Sequence, residues 1–428
     1  MDIDLAFGKK NIRVTLPKQV NPTIIRKPKI KIPKSERSII REALANPIGC
    51  KEFSKIAETA NSLCILVCDI TRPVPNHLFL RPLIKTAISA GIPLHNILIL
   101  IATGLHRPNL GDELKEIIGD SWVYKNIRIE NHDANDDKSH VFLGKTKSRS
   151  VPVALDRRFL EAEIRIATGL IEPHFMAGYS GGKKVVAPGI AHHQTIRTFH
   201  SSRFMNDPNC SSCNLKSNPL HEEQVEIINM IKGQILAFNT VLDEHRNLIY
   251  ASFGEILESH AEGIKVARET CEVKVSRKFK TLLTACAGYP LDKTYYQTVK
   301  GMVTPLQILE DGGTLIIASE CSEGLGSKHF RESQKRLVKE GAESFFKSII
   351  KKEFADIDEW QTQMQLRPML RGKIKLYSPC LSESDRLLTG VEVIKDISSA
   401  LSDSIEQQKD ASVAIIPEGP YVIPILET

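Results

Sequence analysis

The chain has 428 residues, of which 42% are hydrophobic and 25% charged, which indicates a globular protein with two or three domains rather than a disordered chain. No apolar run is long enough to cross a bilayer, and the start MDIDLAFGKK does not resemble a secretory signal. The nine cysteines are scattered, which favours a reducing compartment over a disulfide framework, so we expect a cytoplasmic protein without a membrane segment.

The net charge of +6 includes a basic stretch near the N-terminus. A solvated surface is the simplest interpretation, because aromatic residues make up only 6% of the chain and no nucleic-acid recognition motif accompanies the stretch. An anionic small molecule accounts for a modest positive excess at least as well. We therefore expect no nucleic-acid partner. The stretch consists of Arg26, Lys27, Lys29, Lys31, Lys34 and Arg37.

In the first 270 residues, apolar runs of strand length alternate with helical patterns, which predicts parallel strands joined by crossover helices. Glycines after the helical patterns mark their expected ends. The predicted strands are Leu63–Val67, Ile97–Ala102, Glu163–Ala167, Gln234–Val241 and Asn247–Ser252. The predicted helices run from an Asn76 cap to Gly91, over Leu110–Ile118 and Asn218–Ile231, and from Phe253 to about Arg268.

A second α/β unit is predicted to begin near Lys280, after a charged boundary at residues 270–278. Its strands are expected at Thr281–Ala285, Thr314–Ala318 and Ile374–Tyr377, and Ala411–Ile416 is a last strand that could return to the first domain. The predicted fold class is therefore α/β, with two α/β domains of mainly parallel sheets. Residues 1–270, joined by a tail at 405–428, form the first domain, and residues 278–400 form the second.

Two of the predicted strands end in the same short sequence. IATGLH at 101–106 recurs as IATGL at 166–170, and His174 follows shortly after the second copy. In each copy a buried strand leads into a glycine-containing turn that delivers a histidine. Open α/β sheets bind ligands beyond the carboxyl ends of their strands, so we expect His106 and His174 to face one crevice.

The sequence DITRPVP at 69–75 directly follows a predicted strand. Its two prolines prevent the chain from continuing as a strand or helix, so a rigid turn is expected. Arg72 is then held at the sheet edge, where its planar guanidinium can bind a carboxylate or phosphate through two hydrogen bonds. The alternative is a surface turn with a salt bridge between Asp69 and Arg72.

The segment EPHFMAGYSGGKK at 172–184 carries the densest set of candidate groups. Its glycines, among them Gly181 and Gly182, allow backbone amides to approach an anion closely. The spacing is not that of a Walker A loop, and no serine or threonine follows Lys183 and Lys184. Lys184 is also a candidate attachment point, because a lysine desolvated beside another cation has a lowered pKa and becomes nucleophilic.

A histidine-rich stretch with His192, His193 and His200 follows that loop. Imidazole binds nickel, zinc, copper and iron alike, but no HExxH or paired Cys/His pattern accompanies the stretch, so a complete protein-only metal site is not evident. Cys210 and Cys213 form a CxxC without the second pair that a zinc ribbon needs, and a plain loop is expected there.

Further along, YQTVKG at 296–301 places Gln297 and Lys300 three residues apart, on one face if the segment is helical. The two side chains could supply a hydrogen-bond donor and a cation to the crevice from the second domain. A solvated helix face is the simpler interpretation.

Taken together, these segments resemble the nickel-pincer-nucleotide lactate racemase family. They occur in the family's order between residues 69 and 361, and the first four form the specific part of the set. They are DITRPVP at 69–75, ATGLHR at 102–107, EPHFMAGYSGGKK at 172–184, His200 within RTFHSSR, YYQTVKG at 295–301 and EWQ at 359–361.

The resemblance implies a nickel-pincer nucleotide cofactor (pyridinium-3,5-bisthiocarboxylic acid mononucleotide nickel), covalently attached through Lys184, with His200 completing the nickel coordination. Gly181 and Gly182 would border the cofactor. The family loop often reads Gly-Gly-Gly-Lys, whereas this chain has Lys183 in place of the last glycine. Lys183 would either contact the cofactor phosphate or compete as the attachment residue.

The resemblance further implies an isomerase, a racemase or epimerase of a 2-hydroxy acid, in which hydride passes reversibly from the α-carbon to the cofactor. His106 and His174 would be the acid–base pair. This role is chemically sound, because racemisation needs a base for each enantiomer and histidine exchanges protons near neutral pH. Arg72 and Lys300 would hold the substrate carboxylate.

The remaining roles are carried over in the same way. Gln297 and Trp360 would line the cofactor pocket, and Asp69 would orient Arg72 or contact the cofactor ribose. The active site would lie in the cleft between the two domains. A small-molecule 2-hydroxy acid and the cofactor-maturation enzymes are the implied partners, and the sequence does not choose among lactate, malate, aromatic and sugar acids.

Three other classes of protein are alternatives on the residues alone. A nicotinamide-dependent 2-hydroxy acid dehydrogenase should show G-x-G-x-x-G between a strand and a helix, and the chain has none. A phosphotransferase using the Gly-Gly-Lys-Lys loop needs carboxylates for magnesium, and Asp69 is the only obvious candidate. A non-enzymatic binding protein is disfavoured by the expected convergence of Arg72, His106, His174 and Lys184.

Overall fold

The computed structural model describes residues 1–28, 34–243 and 245–427, and these form two α/β units between which the chain passes several times. The central unit contains, of these residues, 34–199 and 209–270. The terminal unit contains residues 1–28, 200–208 and 271–427. Lys29 and Lys31 of the basic stretch lie outside the described residues.

The chain starts in the terminal unit with an antiparallel hairpin, β1 (Asp2–Phe7) and β2 (Lys10–Thr15), which is followed by β3 (Asn21–Ile24). Every second side chain of the hairpin's first strand is buried, so Ile3 and Leu5 join the core of this unit while their neighbours face solvent.

The central unit then alternates strands with helices. Its strands are β4 (Leu63–Cys68), β5 (Ile97–Ala102), β6 (Arg128–Asn131), β7 (His140–Lys145), β8 (Pro152–Asp156), β9 (Ile164–Leu170), β10 (Pro173–His174), β11 (Gly178–Tyr179), β12 (Leu236–Leu242) and β13 (Leu248–Glu255). The helices, including α9 of the terminal unit, are α1 (Glu36–Ala45), α2 (Phe53–Ala57), α3 (Asn76–Ser89), α4 (Gly111–Ile118), α5 (Ser121–Asn126), α6 (Arg157–Glu161), α7 (Lys183–Val186), α8 (His193–Phe199), α9 (Ser202–Met205), α10 (Pro219–Met230) and α11 (Ile256–Cys271).

The main sheet of the central unit has the strand order β13-β12-β9-β4-β5-β6, and only β13 runs antiparallel to its neighbour. The chain builds outward from β4 through β5 to β6, and then returns to the other side of β4 with β9. The order therefore reverses between β4 and β9, which makes this gap the topological switch point where open α/β sheets bind ligands.

Both faces of this sheet are covered, which explains why its strands read as continuous apolar runs. In β4, Ile65 and Val67 belong to one core cluster, whereas Cys64 and Leu66 belong to the cluster on the other face. All of β5 and β9 is likewise buried. Polar groups at the ends of these strands are thus the first that a ligand at the sheet edge meets.

The terminal unit resumes after α11 with strands and helices in the same alternation. Its further strands are β14 (Glu272–Val275), β15 (Phe279–Ala285), β16 (Leu309–Ala318), β17 (Lys373–Tyr377), β18 (Glu392–Ile394), β19 (Ser412–Ile416) and β20 (Ile423–Leu426). Its helices are α12 (Tyr295–Val303), α13 (Lys328–Glu340), α14 (Ala342–Ile349), α15 (Glu359–Arg371), α16 (Glu383–Arg386) and α17 (Ile397–Gln408).

The main sheet of the terminal unit is fully parallel, in the order β18-β17-β16-β15-β19-β3. The predicted α/β class with mainly parallel sheets is confirmed. The predicted strands of both units are present, with bounds that differ by up to five residues, and the predicted helix from Leu110 ends at Gly119 in a left-handed cap.

The division of the chain differs from the one expected from the sequence, which placed residues 1–270 and the tail 405–428 in a first domain. The tail does not return to the central unit, because β19 pairs with β15 on one side and with β3 on the other. Residues 1–28 therefore belong with the tail. Hydrogen bonding between segments 391 residues apart, as Ser412 is from Asn21, leaves no local pattern, so the sequence does not reveal this pairing.

Two residues of the basic stretch form solvated ion pairs. Arg26 contacts Glu418 at 2.7 Å, and Lys34 contacts Glu42 at 2.6 Å; all four side chains are substantially exposed. Among the described residues, no helix combines the length and the apolar character needed to span a membrane.

Candidate active site

Three neighbouring strands of the central sheet end in polar residues. Asp69 follows β4, the turn leading to His106 follows β5, and Glu172 and His174 follow β9. The strands are parallel and in register, with Cys68 opposite Ala102, so their carboxyl ends lie along one edge on both sides of the switch point. Side-chain contacts join residues after β4 to residues after β5 and after β9, whereas the convergence of His106, His174 and Lys184 on one crevice stays a prediction.

Asp69 forms its strongest contact with His106. Its Oδ2 lies 2.5 Å from His106 Nδ1, and its Oδ1 accepts hydrogen bonds from the Thr71 backbone amide at 3.2 Å and from Thr71 Oγ1 at 2.5 Å. Burial raises the pKa of Asp69, but the contacts from His106 and Thr71 and the charge of Arg72 outweigh it, and the net pKa is below the usual value. The ionised carboxylate can only accept, so His106 Nδ1 donates.

This contact fixes the orientation and tautomer of His106. A neutral imidazole whose Nδ1 carries the proton has its lone pair on Nε2. The ring is otherwise open, with 63% of its side chain exposed. His106 is therefore positioned as a base, with Nδ1 engaged by Asp69 and the lone pair of Nε2 left for a ligand. The roles expected for Asp69, orienting Arg72 or contacting a ribose, stay predictions beside this pairing with His106.

Arg72 pairs instead with Glu172, through a short contact between Arg72 Nη1 and Glu172 Oε1. The pair joins the segments after β4 and β9 and so bridges the switch point. Desolvation opposes the charge on Arg72, but Glu172, Cys68 and Asp69 together raise the pKa of the guanidinium above its usual value. Both side chains are about one quarter exposed, so the guanidinium is charged and partly accessible.

His174 lies in a two-residue antiparallel ladder, where it pairs with Gly178, and Pro173 pairs with Tyr179. Its Nδ1 accepts from the backbone amides of Met176 at 3.3 Å and Ala177 at 3.1 Å. In the neutral ring the proton is therefore on Nε2. His106 and His174 thus have opposite tautomers in this structure.

The glycine-rich loop packs directly on the end of β9. A Cβ atom at Gly169 would lie 2.7 Å from the Gly182 nitrogen and 2.8 Å from the Gly181 Cα, so this strand end admits only glycine. Gly181 has a φ of +96°, which also favours glycine. In the second copy of the repeated sequence, at 166–170, the glycine is therefore needed because the backbone of the glycine-rich loop packs directly against it.

The loop is poorly suited to hold a phosphate through its amides. The Gly182 amide donates to Asn239 Oδ1 at 2.9 Å, the Lys184 amide to the Gly181 carbonyl at 2.8 Å, and the Val185 amide to the Gly182 carbonyl at 3.0 Å. Three backbone amides that would bind an anion in a phosphate loop thus already donate hydrogen bonds to acceptors within the protein.

The two consecutive lysines have different environments. Lys183 is fully buried, and its Nζ lies 3.2 Å from His260 Nδ1, while His260 Nε2 contacts the Ser180 carbonyl at 2.7 Å. Burial and the charge of Lys184 lower the pKa of Lys183 to about 7. This position does not fit either role expected for Lys183, a phosphate contact or an attachment point, because its amine points into the protein interior.

Lys184 remains partly accessible. Desolvation and then the charge of Arg72 lower its pKa to about 8, although Cys68, Asp69 and Glu172 act in the opposite direction. A substantial fraction of neutral amine is therefore present near neutral pH, which is the condition for a nucleophilic lysine.

The remaining predicted site residues belong to the terminal unit. The predicted helix through Gln297 and Lys300 is present as α12, and Gln297 Oε1 is buried without a hydrogen-bond partner. His200 precedes α9, and its ring centroid lies 5.0 Å from that of Trp360, at the start of α15. That all these residues meet the strand-end groups in one cleft stays a prediction.

The His200 segment is held by α15. Gln363 Nε2 donates to the Ser202 carbonyl at 3.3 Å, and Arg367 Nη2 donates to the carbonyls of Met205 at 2.5 Å and Asp207 at 2.7 Å. These contacts explain why residues 200–208 belong to the terminal unit although the chain on either side of them belongs to the central one.

Sequence reasoning missed several residues of the site. Asn239 and His260 position the glycine-rich loop from β12 and α11, 57 and 77 residues further along the chain. No motif marks either of them. Glu172 stands inside a segment of interest, but an acidic residue beside a proline does not by itself indicate a partner for Arg72.

The strand-end site and the two parallel sheets define a two-unit α/β protein with functional groups at a topological switch point, and comparison with known proteins specifies the family. A family model described as the lactate racemase N-terminal domain matches residues 7–212, and one described as the lactate racemase C-terminal domain matches residues 276–424. A lactate racemase from Thermoanaerobacterium thermosaccharolyticum is 32% identical over 432 residues, which cover 99% of both chains. One from Lactiplantibacillus plantarum is 31% identical over 400 residues, 91% of both chains. The chain belongs to the lactate racemase family.

Solved structures agree with this. The lactate racemase apoprotein from T. thermosaccharolyticum has a TM-score of 0.90 and 29% identity, with 99% of this chain and 100% of that chain covered. A protein from Thermotoga maritima has a TM-score of 0.64 and 18% identity over 94% of this chain and 100% of that chain, which shows a shared fold alone.

Proposed function

We propose that this protein is a racemase or epimerase of a 2-hydroxy acid that works with a nickel-pincer nucleotide attached through Lys184. The observation that carries the proposal is the pair of imidazoles, His106 and His174, at the ends of β5 and β9 with opposite tautomers. Membership of the lactate racemase family supports the same reaction class. Lactate is the first substrate to test.

Two features of this chain fit the implied cofactor. The lowered pKa of Lys184 makes its amine a nucleophile for covalent attachment. The buried and unpartnered Oε1 of Gln297 is an acceptor that a bound group could satisfy. We assign the nickel ligand to His200, and cofactor contacts to Gln297, Trp360, Gly181 and Gly182.

When bound, the cofactor supplies a reversible acceptor for the α-hydrogen of the substrate. Arg72 binds the substrate carboxylate, because Glu172 occupies one of its five N–H donors and leaves the planar group in place. Lys300 is assigned as the second cation for the carboxylate. The reacting carbon is thereby held while its hydroxyl faces an imidazole.

His106 is the base for one enantiomer. Its Nε2 takes the hydroxyl proton, and the positive charge that forms on the ring is stabilised by Asp69 through Nδ1. The α-hydrogen leaves the carbon as the hydroxyl proton is taken, which gives the 2-keto acid. The keto acid turns its other face, and its oxygen receives a proton from His174 as the α-hydrogen returns to that face of the carbon. To act as an acid His174 carries protons on both nitrogens, so its Nδ1 gives up the two backbone contacts. These are long, at 3.1 and 3.3 Å, and their loss is a small cost.

After giving its Nε2 proton, His174 retains the one on Nδ1 and has a lone pair on Nε2, which makes it the base for the opposite enantiomer. Turnover thus requires one protonated and one neutral ring.

Replacing either histidine by alanine should abolish racemisation while the protein stays folded, because the two side chains lie at strand ends rather than in a core cluster.

The deciding experiment uses protein co-expressed with the cofactor-maturation enzymes. Intact mass and nickel content establish loading, and Lys184→Ala should lose the adduct while Lys183→Ala keeps it. Loaded enzyme is then given one enantiomer of lactate deuterated at the α-carbon, in ordinary water. Appearance of the opposite enantiomer with deuterium retained supports hydride transfer. Washing-out of the label would show α-proton abstraction and contradict the mechanism.

A phosphate-binding transferase is the second candidate, and the committed loop amides disfavour it. If the co-expressed protein carries no adduct and no nickel while a control racemase matures in the same cells, the proposal fails. If fully loaded enzyme racemises none of a panel of 2-hydroxy acids, the cofactor assignment stands but the proposed reaction is rejected.

A further inference from the structure

Outside the proposed catalytic groups, one further cluster of metal-ligating side chains is built into the central unit. Asp137, His192 and His193 each direct one ligand atom into a common space, and these atoms all lie within 4.8 Å of one another. We infer that Asp137, His192 and His193 form a second metal site, which takes a divalent transition-metal ion such as Zn²⁺.

The two imidazoles are mounted rigidly. The backbone amide of His192 donates to the Ala154 carbonyl at 3.0 Å, and that of His193 donates to the Ala134 carbonyl at 2.9 Å. These bonds tie the start of α8 to β8 and to the loop after β6. The ring centroids of the two histidines lie 4.1 Å apart, so both donors are positioned before any ion arrives, which reduces the entropy cost of binding.

The carboxylate comes from a different segment. Asp137 begins a short 3-10 helix, Asp137–Ser139, and its Oδ1 lies 2.8 Å from His192 Nε2. The side chain of Asp137 is 85% exposed, whereas that of His192 is 9% exposed. The site therefore has a buried inner ligand and an outer ligand in contact with water, which provides a path for an ion to enter.

A second layer of imidazoles supports the inner ligand. The His140 ring centroid lies 5.1 Å from that of His192, and His140 Nε2 is 3.0 Å from His132 Nε2. His140 Nδ1 donates to the Asp136 carbonyl at 2.8 Å. Since both nitrogens of His140 have partners, this ring packs against the site and does not serve as a ligand. Metal ligands held by such outer contacts are better oriented.

Binding requires a small rearrangement of protons. His192 Nδ1 accepts from the Gln194 amide at 3.3 Å, so the neutral ring has its proton on Nε2, facing Asp137. An ion on Nε2 takes the place of that proton, which moves to Nδ1, and the long contact with Gln194 is lost. No net proton is released, and the ion replaces the hydrogen bond between His192 and Asp137.

The donor set determines the class of ion. Two imidazoles and one carboxylate suit zinc, nickel, cobalt and copper, whereas magnesium and calcium prefer oxygen ligands alone. Three protein ligands leave at least one position for water. The sequence showed His192 and His193 as neighbours but not the third ligand, because Asp137 is 55 residues earlier in the chain.

The test uses the full chain made without maturation enzymes, stripped with a chelator and titrated with ZnCl₂ by calorimetry. The parent carries His200→Ala, so that the assigned nickel ligand does not contribute. We expect about one zinc per chain in this parent, and affinity weakened at least roughly tenfold in the added variants His193→Ala and Asp137→Asn, because loss even of an outer-shell partner costs that much.

The matched control is His95→Ala, which removes an exposed histidine of the same unit and should bind zinc like the parent. Circular dichroism checks folding, and Asp137→Asn keeps the test valid if His193→Ala is unstable, because Asp137 is largely exposed. Absence of zinc binding in the parent would overturn the inference. Zinc binding that persists unchanged in both site variants would overturn it as well, since the ion would then lie elsewhere.

Discussion

At the residue scale, the decisive feature is the pairing of Asp69 with His106. A buried carboxylate on Nδ1 fixes the ring's orientation and the tautomer in which Nε2 is the base, so it should matter more to the rate than to substrate binding. We expect Asp69→Asn to lower kcat by roughly 10²- to 10⁴-fold with a smaller change in KM, measured on loaded enzyme with single enantiomers.

Thr71→Val provides the comparison for this variant, because Thr71 Oγ1 donates to Oδ1 of the same carboxylate, whereas His106 contacts Oδ2. It should have a smaller effect on kcat. Equal loss of activity in Asp69→Asn and Thr71→Val would show that His106 does not depend on its contact with Asp69.

The rate of racemisation by wild-type enzyme should fall on both sides of an optimum pH, since one of the two catalytic histidines must be protonated and the other neutral.

Lys183 allows a test on stability. Its pKa, lowered by burial to about 7, means that between about pH 7 and 10.5 the unfolded chain binds a proton that the folded chain lacks. The free energy of unfolding therefore rises with pH across this window. Lys183→Met should be more stable than wild type near pH 7, by about 1.4 kcal/mol for each unit of the pKa shift that burial imposes.

Urea unfolding of the apoprotein at several pH values measures this effect. The rise in stability from pH 7 to 10 should be smaller in Lys183→Met than in wild type, with the contribution of Lys184 remaining. Lys51→Met, at an exposed position of the same unit, should leave the rise unchanged. An identical pH dependence in Lys183→Met and wild type would show that the amine is solvated in the native protein.

At the element scale, the site depends on the close approach of β9 and the glycine-rich loop. Gly169→Ala would place a methyl group against the backbone of Gly181 and Gly182. Backbone cannot move aside as a flexible side chain can, so the loop that carries Lys184 should shift. We expect Gly169→Ala to lose stability by about 1–3 kcal/mol and to lose the cofactor adduct.

Gly312→Ala is the matched control, because its φ of +77° strains an added side chain but no atom lies within 4 Å of it. It should lose some stability and keep the adduct. Adduct formation is measured by intact mass on the folded fraction. A fully loaded Gly169→Ala protein would show that the contact does not position Lys184.

At the scale of the whole molecule, residues 1–28 belong to the terminal unit. Leu5 is fully buried and belongs to the same core cluster as Leu283 and Val413. Leu5→Ala should cost about 2–5 kcal/mol and increase hydrogen exchange in β15 and β19 while β4 and β5 stay protected. Phe142→Ala, at a site 63% exposed, should change neither. Increased exchange in β4 would support the division into residues 1–270 and 278–400.

What the sequence determined by itself is local. Neighbouring residues predict the apolar runs of strand length, the helices that end at a glycine, and the polar groups directly after β4, β5 and β9. They can do so because burial and backbone preference act over a few positions. The position of Arg72, His106, His174 and Lys184 near one sheet edge follows from the parallel order that such alternation implies.

The tertiary structure alone decided which of these groups touch. Asp69 pairs with His106 rather than with Arg72, Lys183 is fully buried whereas Lys184 is partly accessible, and Asp137 contacts His192, 55 residues away. It also decided that β3 lies beside β19. Such contacts depend on strand order and on the packing of distant segments, and residues far apart in the chain carry no local pattern that records them.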